Sequence, residues 1–211
     1  WHRWPRHAKR HREKWLREKP YEIVEVDYNA FAQAYHASGK RNRSTRILWL
    51  RILQHYVEMR QNNAHFFGAR DPVSQKIMAG LAIVNYPDIH QSVHMVSFIH
   101  PKAEHTSVGT GLIDHSFQHG LKNGITLMNF GVFWQKGDPK SWKNYSLFKT
   151  QFNPYFIAYP KPLYKIVWPT RQNGQSDQSS LYLKIMWKRA LRRIPRQSGV
   201  KRALVLGLGA G

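Results

Sequence analysis

The chain has 211 residues, 42% of them hydrophobic and 13% aromatic, so it can build one packed domain with extensions, and wholesale disorder is excluded. It contains no cysteine, which excludes disulfides, thiolate metal sites and cysteine nucleophiles. The net charge of +21 lies mostly in the flanks: residues 1–19 hold eight Lys/Arg against two Glu, and residues 178–211 hold eight Lys/Arg and no acidic residue.

The first sixty residues predict three helices and one strand. Residues 1–19 predict a basic helix whose large apolar side chains are Trp4 and Trp15, and the alternation in residues 21–26 predicts a strand. Two further helices are expected, one through Tyr35 and one with apolar residues at helical spacing over 47–56. Their predicted capping residues are Asp27 or Asn29 for the first and Ser44 or Thr45 for the second.

The middle of the chain predicts three strands followed by a helix. The strands, residues 65–70, 76–85 and 92–100, are separated by turn sequences, which favours an antiparallel meander. A helix with one apolar face begins at Ser107 and ends at Asn123-Gly124, where the glycine suits a left-handed cap.

The last part of the chain predicts the closing elements. They are a strand over 125–130, a helix over 141–151, short strands near 155–158 and 163–168, a polar linker and a basic amphipathic helix over 179–194.

This element order predicts a mixed α/β fold with a mostly antiparallel central sheet flanked by helices. The helix after the meander connects two neighbouring strands, as a crossover does. The predicted organisation is a basic N-terminal extension over 1–20, one domain over 21–168, and a linker with a basic C-terminal helix and tail over 169–211.

The turn into the central helix is the sharpest local feature. Residues 106–111 read Thr-Ser-Val-Gly-Thr-Gly, so a glycine-bearing loop opens a helix directly after a strand. Free backbone N–H groups at a helix N-terminus bind phosphate, and glycines allow a close approach. The alternative interpretation is an ordinary helix start with glycines packed against the sheet.

A second stretch follows the next strand: Asp138-Pro139, then a segment that ends in Phe148-Lys149-Thr150-Gln151-Phe152. Together with the element order and the two glycines, this resembles the GNAT superfamily of acyltransferases, and within it the Fem-like branch that includes the FemABX peptidyltransferases. Thr106 departs from the GNAT loop pattern, which usually has Gln or Arg there. The resemblance covers residues 21–168 and one GNAT unit, either a single-unit relative or a piece of a two-unit protein.

The resemblance implies roles for several residues. The loop residues would bind the phosphates of an acyl donor; they are Ser107, Val108, Gly109, Thr110 and Gly111. Lys149 would face the reacting centre, where a cation stabilises the oxyanion of acyl transfer.

The acid and base of the reaction have several candidates. Glu104, His105 and His100 could take the amine proton, and Tyr145 or Tyr155 could protonate the leaving group. His115 and His119 have a metal-compatible spacing, but Gln118 and Lys122 on the same face favour a solvated surface, so no metal is expected.

Two functions follow. The first is an N-acyltransferase that moves an acyl or aminoacyl group from acyl-CoA or aminoacyl-tRNA, bound as a substrate and not as a permanent cofactor, to a primary amine. The second is a non-catalytic module that binds RNA or an anionic membrane through its basic flanks. The expected location is the cytoplasm, either free or at the inner face of the membrane.

Overall fold

Five strands form one mixed sheet in the order β1-β2-β3-β4-β5 in the computed structural model, which describes residues 1, 3–39, 42–131, 133–134, 136, 140 and 143–156. The strands are β1 (Glu22–Val26), β2 (Ala64–Arg70), β3 (Ile77–Tyr86), β4 (Gln91–Ile99) and β5 (Leu127–Asn129). The first four pair antiparallel, and β5 pairs parallel with β4. The predicted meander is therefore confirmed, and so is the mixed α/β fold with a mostly antiparallel sheet.

Five α-helices accompany the sheet in the part of the chain that the structure describes. They are α1 (Arg6–Glu18), α2 (Tyr28–Ala37), α3 (Arg43–Arg60), α4 (Val108–Lys122) and α5 (Lys143–Thr150). Helix α4 joins β4 to the parallel strand β5, which confirms the crossover connection. Among the residues that the structure describes, no helix is both long and apolar enough to cross a membrane.

The helix ends show which capping predictions hold. The Asp27 carboxylate accepts a hydrogen bond of 2.8 Å from the Ala30 N–H, and Gly124 has the left-handed φ of 71° expected after α4. At the start of α3, Asn42 Oδ1 accepts from the Thr45 N–H at 2.8 Å. The prediction of Ser44 or Thr45 as this cap is therefore wrong. The cap is Asn42, two or three residues earlier, because its side-chain oxygen accepts the hydrogen bond.

Helices cover both faces of the sheet, and each face has its own apolar cluster. Phe66 and Ala82 point to α2 and α3, where they meet Phe31, Tyr35 and Leu53. The opposite face holds the second cluster, with Phe67, Leu81, Ile83, Leu112 and Phe152 among its members. Phe66 and Phe67 lie in opposite clusters because successive strand residues point to opposite faces.

The N-terminal helix α1 packs on α4 and contributes to the second cluster. Trp4, Ala8 and Trp15 are all buried there. Arg12 forms an ion pair of 2.7 Å with Asp114, whose side chain is 3% exposed, and this carboxylate also accepts hydrogen bonds from Trp1 Nε1 and Gln118 Nε2. Residues 1–20, expected to be an extension outside the domain over 21–168, therefore supply part of its core.

We expect Arg12→Met to destabilise the protein by about 2–3 kcal/mol, because it leaves a buried carboxylate with only neutral donors. Urea unfolding measures the change, and Arg10→Met on the exposed side of the same helix is the matched control, expected within about 0.5 kcal/mol of the parent. Equal effects of the two substitutions would contradict a structural ion pair.

Several predictions fall outside the described residues. These are Asp138-Pro139, the short strand over 163–168, the linker and the basic helix over 179–194. Tyr155 and Phe156 are described and lie in irregular structure at the start of the strand expected over 155–158.

Candidate active site

Strands β4 and β5 separate after a short contact. Their parallel pairing joins Gln91, Ser92 and Val93 to Leu127–Asn129, whereas β4 continues to Ile99. Within the described part of the chain, β4 has no further strand partner on this edge from His94 onward. The separation leaves a gap that begins at His94.

A bulge in β4 lies beside this gap. Ala82 of β3 pairs with Val96, but the neighbouring Ile83 pairs with His94, so Met95 is skipped. A bulge turns the following side chains over and leaves the extra residue outside the ladder. His94 therefore lies on the same face as Ile83, towards α4 and α5, while Val96 lies with Ala82 on the face covered by α2 and α3.

His94 contacts two residues of α5 that the sequence singled out. Its Nε2 lies 3.2 Å from the Tyr145 hydroxyl oxygen, within hydrogen-bonding distance. The Lys149 ammonium lies 4.2 Å from the centre of the Tyr145 ring and 5.3 Å from that of Phe133, as in cation–π contacts. Lys149 is only 2% exposed and His94 only 5%. The structure thus brings Tyr145, Lys149 and His94 into one cluster, in which Lys149 and His94 are buried and Tyr145 is half-buried.

Packing holds α5 in this position. The Ser146 hydroxyl accepts a hydrogen bond of 2.7 Å from the Trp134 N–H, and Phe152 packs against Phe130 and Trp4. These contacts turn one face of α5, with Tyr145 and Lys149, towards β4.

The pKa of His94 is lowered to about 3, chiefly because the ring is buried and secondarily because of the nearby Lys149 charge. The imidazole is therefore neutral at physiological pH. Its Nδ1 is buried and has no hydrogen-bond partner among the described residues. A neutral ring of this kind orients the Tyr145 hydroxyl and leaves the positive charge of the cluster to Lys149.

A lowered histidine pKa makes stability depend on pH in a defined direction. As the pH falls below about 6.5, the unfolded chain binds a proton that native His94 does not, so the free energy of unfolding decreases. Between pH 7.5 and pH 5 we expect a loss of about 2 kcal/mol from this residue. Urea unfolding of the parent and of His94→Leu at both pH values measures it. The variant should lose that share of the pH dependence, and identical slopes would show that His94 is not a buried neutral ring.

The two glycines of the predicted loop lie in the first turn of α4, which is already helical from Val108, and they face two other helices. A Cβ built at Gly109 would meet Phe148 of α5 at 3.4 Å and Ile99 at 3.2 Å, whereas one at Gly111 would lie 2.3 Å from the Trp15 ring of α1. Ser107 has a left-handed φ of 58°, and its hydroxyl is hydrogen-bonded to His11 Nδ1 at 2.8 Å. Both glycines therefore have protein neighbours, and α1 borders the loop expected to hold phosphates.

The remaining predicted site residues lie around this loop. Val108 and Thr110 are buried in the first turn of α4, while Glu104 and His105 are exposed in the turn before it. The His105 carbonyl accepts a hydrogen bond from Lys14 Nζ at 3.3 Å. The His100 ring accepts from the Lys102 N–H, and the exposed Tyr155 hydroxyl accepts from Arg3.

The interpretation of His115 and His119 as a solvated pair is wrong. Both rings pack edge-on against the fully buried Phe67, with centroids 4.9 and 5.1 Å away. Burial is the main cause of the lowered pKa of both histidines. The helical spacing showed that they share a face, but not that β2 lies beneath it.

Comparison with known proteins gives similarities of fold at low identity. No protein-family model and no curated protein matches the sequence. An aminoglycoside acetyltransferase from an uncultured soil metagenomic sample, solved with sisomicin, is 13% identical over 71% of this chain and 98% of its own, with a TM-score of 0.49. A ribosomal-protein-alanine N-acetyltransferase from Brucella melitensis biovar Abortus 2308 is 10% identical over 69% and 99%, with a TM-score of 0.47.

A third solved structure is an N-acetyltransferase from Thermoplasma acidophilum in complex with coenzyme A. It is 15% identical over 61% of this chain and 86% of its own, with a TM-score of 0.43. Likenesses at this level concern the path of the chain and carry no information about the reaction.

Proposed function

We propose that the protein is an N-acyltransferase of the GNAT type, which transfers an acyl group to a primary amine. The observation that carries the proposal is the Tyr145–His94–Lys149 cluster at the point where β4 and β5 separate. A gap where, within the described residues, β4 has no strand partner beyond Val93 on this edge, together with the buried Lys149, suits a carbonyl that gains negative charge.

The proposed reaction is a direct acyl transfer. The amine nitrogen bonds to the acyl carbon, the bond from that carbon to the leaving sulfur or oxygen breaks, the amine loses a proton and the leaving group gains one. Lys149 and the backbone at the Met95 bulge stabilise the oxyanion, and Tyr145, oriented by His94, protonates the leaving group. Glu104 and His105 remain the candidates for the base.

The donor phosphates are assigned to the start of α4, from Ser107 to Gly111. Thr106 stands where GNAT loops usually have Gln or Arg, but α1 places His11 and Lys14 at this turn, through the contacts to Ser107 and the His105 carbonyl. Lys14 of α1 would then bind the donor phosphates in place of the Gln or Arg that GNAT loops usually have. Acyl-CoA is the donor that this arrangement favours, and aminoacyl-tRNA is the alternative.

The Fem-like assignment remains a proposal based on Phe148, Lys149 and Phe152. The aromatic residues do pack α5 onto the core: Phe148 lies against Gly109, and Phe152 belongs to the second cluster. Phe148 and Phe152 thus fix α5 on the core, and with it the position of Lys149.

Thermal-shift measurements with acetyl-CoA, longer acyl-CoAs and charged tRNA test the donor, since a ligand that binds only the native state raises its stability. A donor that stabilises the parent should stabilise Lys14→Gln less, because one phosphate partner is lost. Arg17→Gln is the control, because Arg17 is an exposed residue of the same helix, and it should be stabilised by the donor as the parent is. If no donor of either class shifts the parent, the acyltransferase proposal fails.

A second function is favoured by the outer face of α1. Arg6, Lys9, Arg10 and Arg17 are exposed there while Trp4 and Trp15 are buried, so the helix presents a basic surface. Removal of residues 1–19 would also remove core side chains, so neutralising substitutions are the cleaner test. Steeply salt-sensitive RNA or anionic-vesicle binding that disappears in Arg6→Gln/Lys9→Gln/Arg10→Gln would support this function.

A further inference from the structure

Three potential metal ligands converge on the face of the sheet that α4 covers. Glu25 lies on β1, His65 on β2 and His119 near the end of α4, and one ligand atom from each lies within 4.8 Å of the other two. His65 Nδ1 is 2.7 Å from Glu25 Oε1, and the His65 and His119 rings are 4.4 Å apart between centroids. The residues are distant in sequence, and the fold alone brings them together.

The register of the sheet explains this convergence. Glu25 pairs with Phe67, so His65, two residues before Phe67, points to the same face as Glu25. Phe67 is fully buried under both rings, stacked parallel to His65 and edge-on to His119. The two histidines therefore stand on regular elements above a packed aromatic floor, which limits their movement.

One buried nitrogen of the cluster is left unbonded by the residues that the structure describes. His119 Nδ1 is buried and makes no hydrogen bond within the described part of the chain. A buried ring nitrogen in that condition costs free energy unless something else binds it. The Glu25 carboxylate and the His65 imidazole lie beside the His119 ring, and a carboxylate with two imidazoles is a common set of ligands for a metal cation.

We propose that Glu25, His65 and His119 form a binding site for a divalent transition-metal ion, with Zn²⁺ as the best match. Zinc takes imidazole nitrogen at about 2.0–2.1 Å and carboxylate oxygen at about 2.0–2.2 Å, and it keeps a water where the protein supplies three ligands. Small rotations bring the three ligands to these distances, because the Glu25 side chain is 55% exposed and can turn inward.

The charges around the cluster fit this ion. The Glu25 carboxylate lies 2.7 Å from His65 Nδ1, so a negative charge adjoins the two imidazole rings. The positive charge of Lys122 on the same helix disfavours a bound cation, and the negative charge of the Glu25 carboxylate compensates for it. The expectation of no metal was based on the pair His115 and His119 alone. The sequence does not show that His65 on β2 lies next to His119.

The site lies ten residues along α4 from Gly109, about 15 Å at the rise of an α-helix. A metal ion there would not touch donor phosphates bound at the start of the helix. It would join β1, β2 and α4, and so stabilise the packing of the helix that begins at the glycine loop.

The test uses the full chain, freed of metal with a chelator and titrated with Zn²⁺ by calorimetry and with Co²⁺ by visible absorption. We expect one ion per chain and a rise in Tm of about 5–10 °C at a hundredfold excess of Zn²⁺ over Kd. Glu25→Gln, His65→Ala and His119→Ala should each weaken binding about tenfold or more. Glu25→Gln alters an exposed side chain, so its result does not depend on whether the histidine variants fold.

Two controls make the result decisive. His55→Ala removes an exposed histidine of α3, and His7→Ala breaks another close histidine pair, His7 and His11, whose rings are 4.4 Å apart on α1. Both variants should bind Zn²⁺ as the parent does. The proposal is overturned if the parent binds no Zn²⁺ or Co²⁺, if Glu25→Gln and His119→Ala bind like the parent, or if His7→Ala abolishes binding.

Discussion

Lys149→Met is expected to slow acyl transfer strongly while the protein remains folded. If Lys149 supplies one of the donors to the oxyanion, its loss lowers kcat by about 10²–10³-fold. The side chain is 2% exposed and lies against the rings of Tyr145 and Phe133, where methionine fills a similar volume without a charge. We therefore expect the free energy of unfolding to change by less than about 1.5 kcal/mol.

The measurement is the rate of transfer from the donor identified by thermal shift, together with urea unfolding of the same preparations. Lys143→Met is the matched control, because Lys143 is the first residue of α5 and is exposed. Its rate should equal that of the parent. A Lys149→Met protein with parental kcat would remove Lys149 from the mechanism, whereas one that fails to fold would assign it a structural role.

The order of the elements could be predicted from the sequence because each one has a clear local signal. Alternation marks the meander strands, turn residues separate them, and Gly124 marks the end of α4. Lys149 and Tyr145 belong to a local motif, so the amino-acid sequence alone is enough to single them out. Their contact with the buried His94 depends on β4, which a motif on α5 does not describe.

His94 was missed for a specific physical reason. In a regular strand it would share a face with Val96, and both would read as part of one alternating pattern. The bulge at Met95 separates them, and a bulge depends on how β3 and β4 fit together rather than on any residue in β4. The signal that could have drawn attention to His94 is a histidine among apolar residues and serines over residues 92–99 of a strand.

The position of α1 was missed in a related way. The basic residues dominated its composition, although Trp4, Ala8 and Trp15 lie four and seven residues apart, which is the spacing of one helical face. Asp114 was hidden for the opposite reason, since a carboxylate in α4 is expected to be solvated. Its burial depends on Arg12, more than a hundred residues away in the sequence.

Gly111→Ala tests the docking of α1 on the glycine loop, and we expect it to destabilise the protein by about 2–4 kcal/mol. The new Cβ would lie 2.3–2.6 Å from three atoms of the Trp15 ring, which is 6% exposed and cannot move without losing its packing. Overpacking of this kind costs about 1–3 kcal/mol, and expulsion of a buried tryptophan costs more. Gly109→Ala is the control, since its Cβ meets only the ends of Ile99 and Phe148 and alanine favours a helix by about 1 kcal/mol over glycine.

A double substitution separates this contact from a general intolerance of Gly111. If the clash with Trp15 is the cause, Gly111→Ala should cost less in a Trp15→Leu background, because the smaller side chain leaves room for the methyl group. Urea unfolding of the four proteins gives the coupling energy, which we expect to be at least about 1 kcal/mol. Strict additivity would contradict the contact and would mean that α1 docks elsewhere. Coupling together with weaker donor binding in Gly111→Ala would tie the position of α1 to the phosphate loop, because Trp15 and Lys14 are carried by the same turn of the helix.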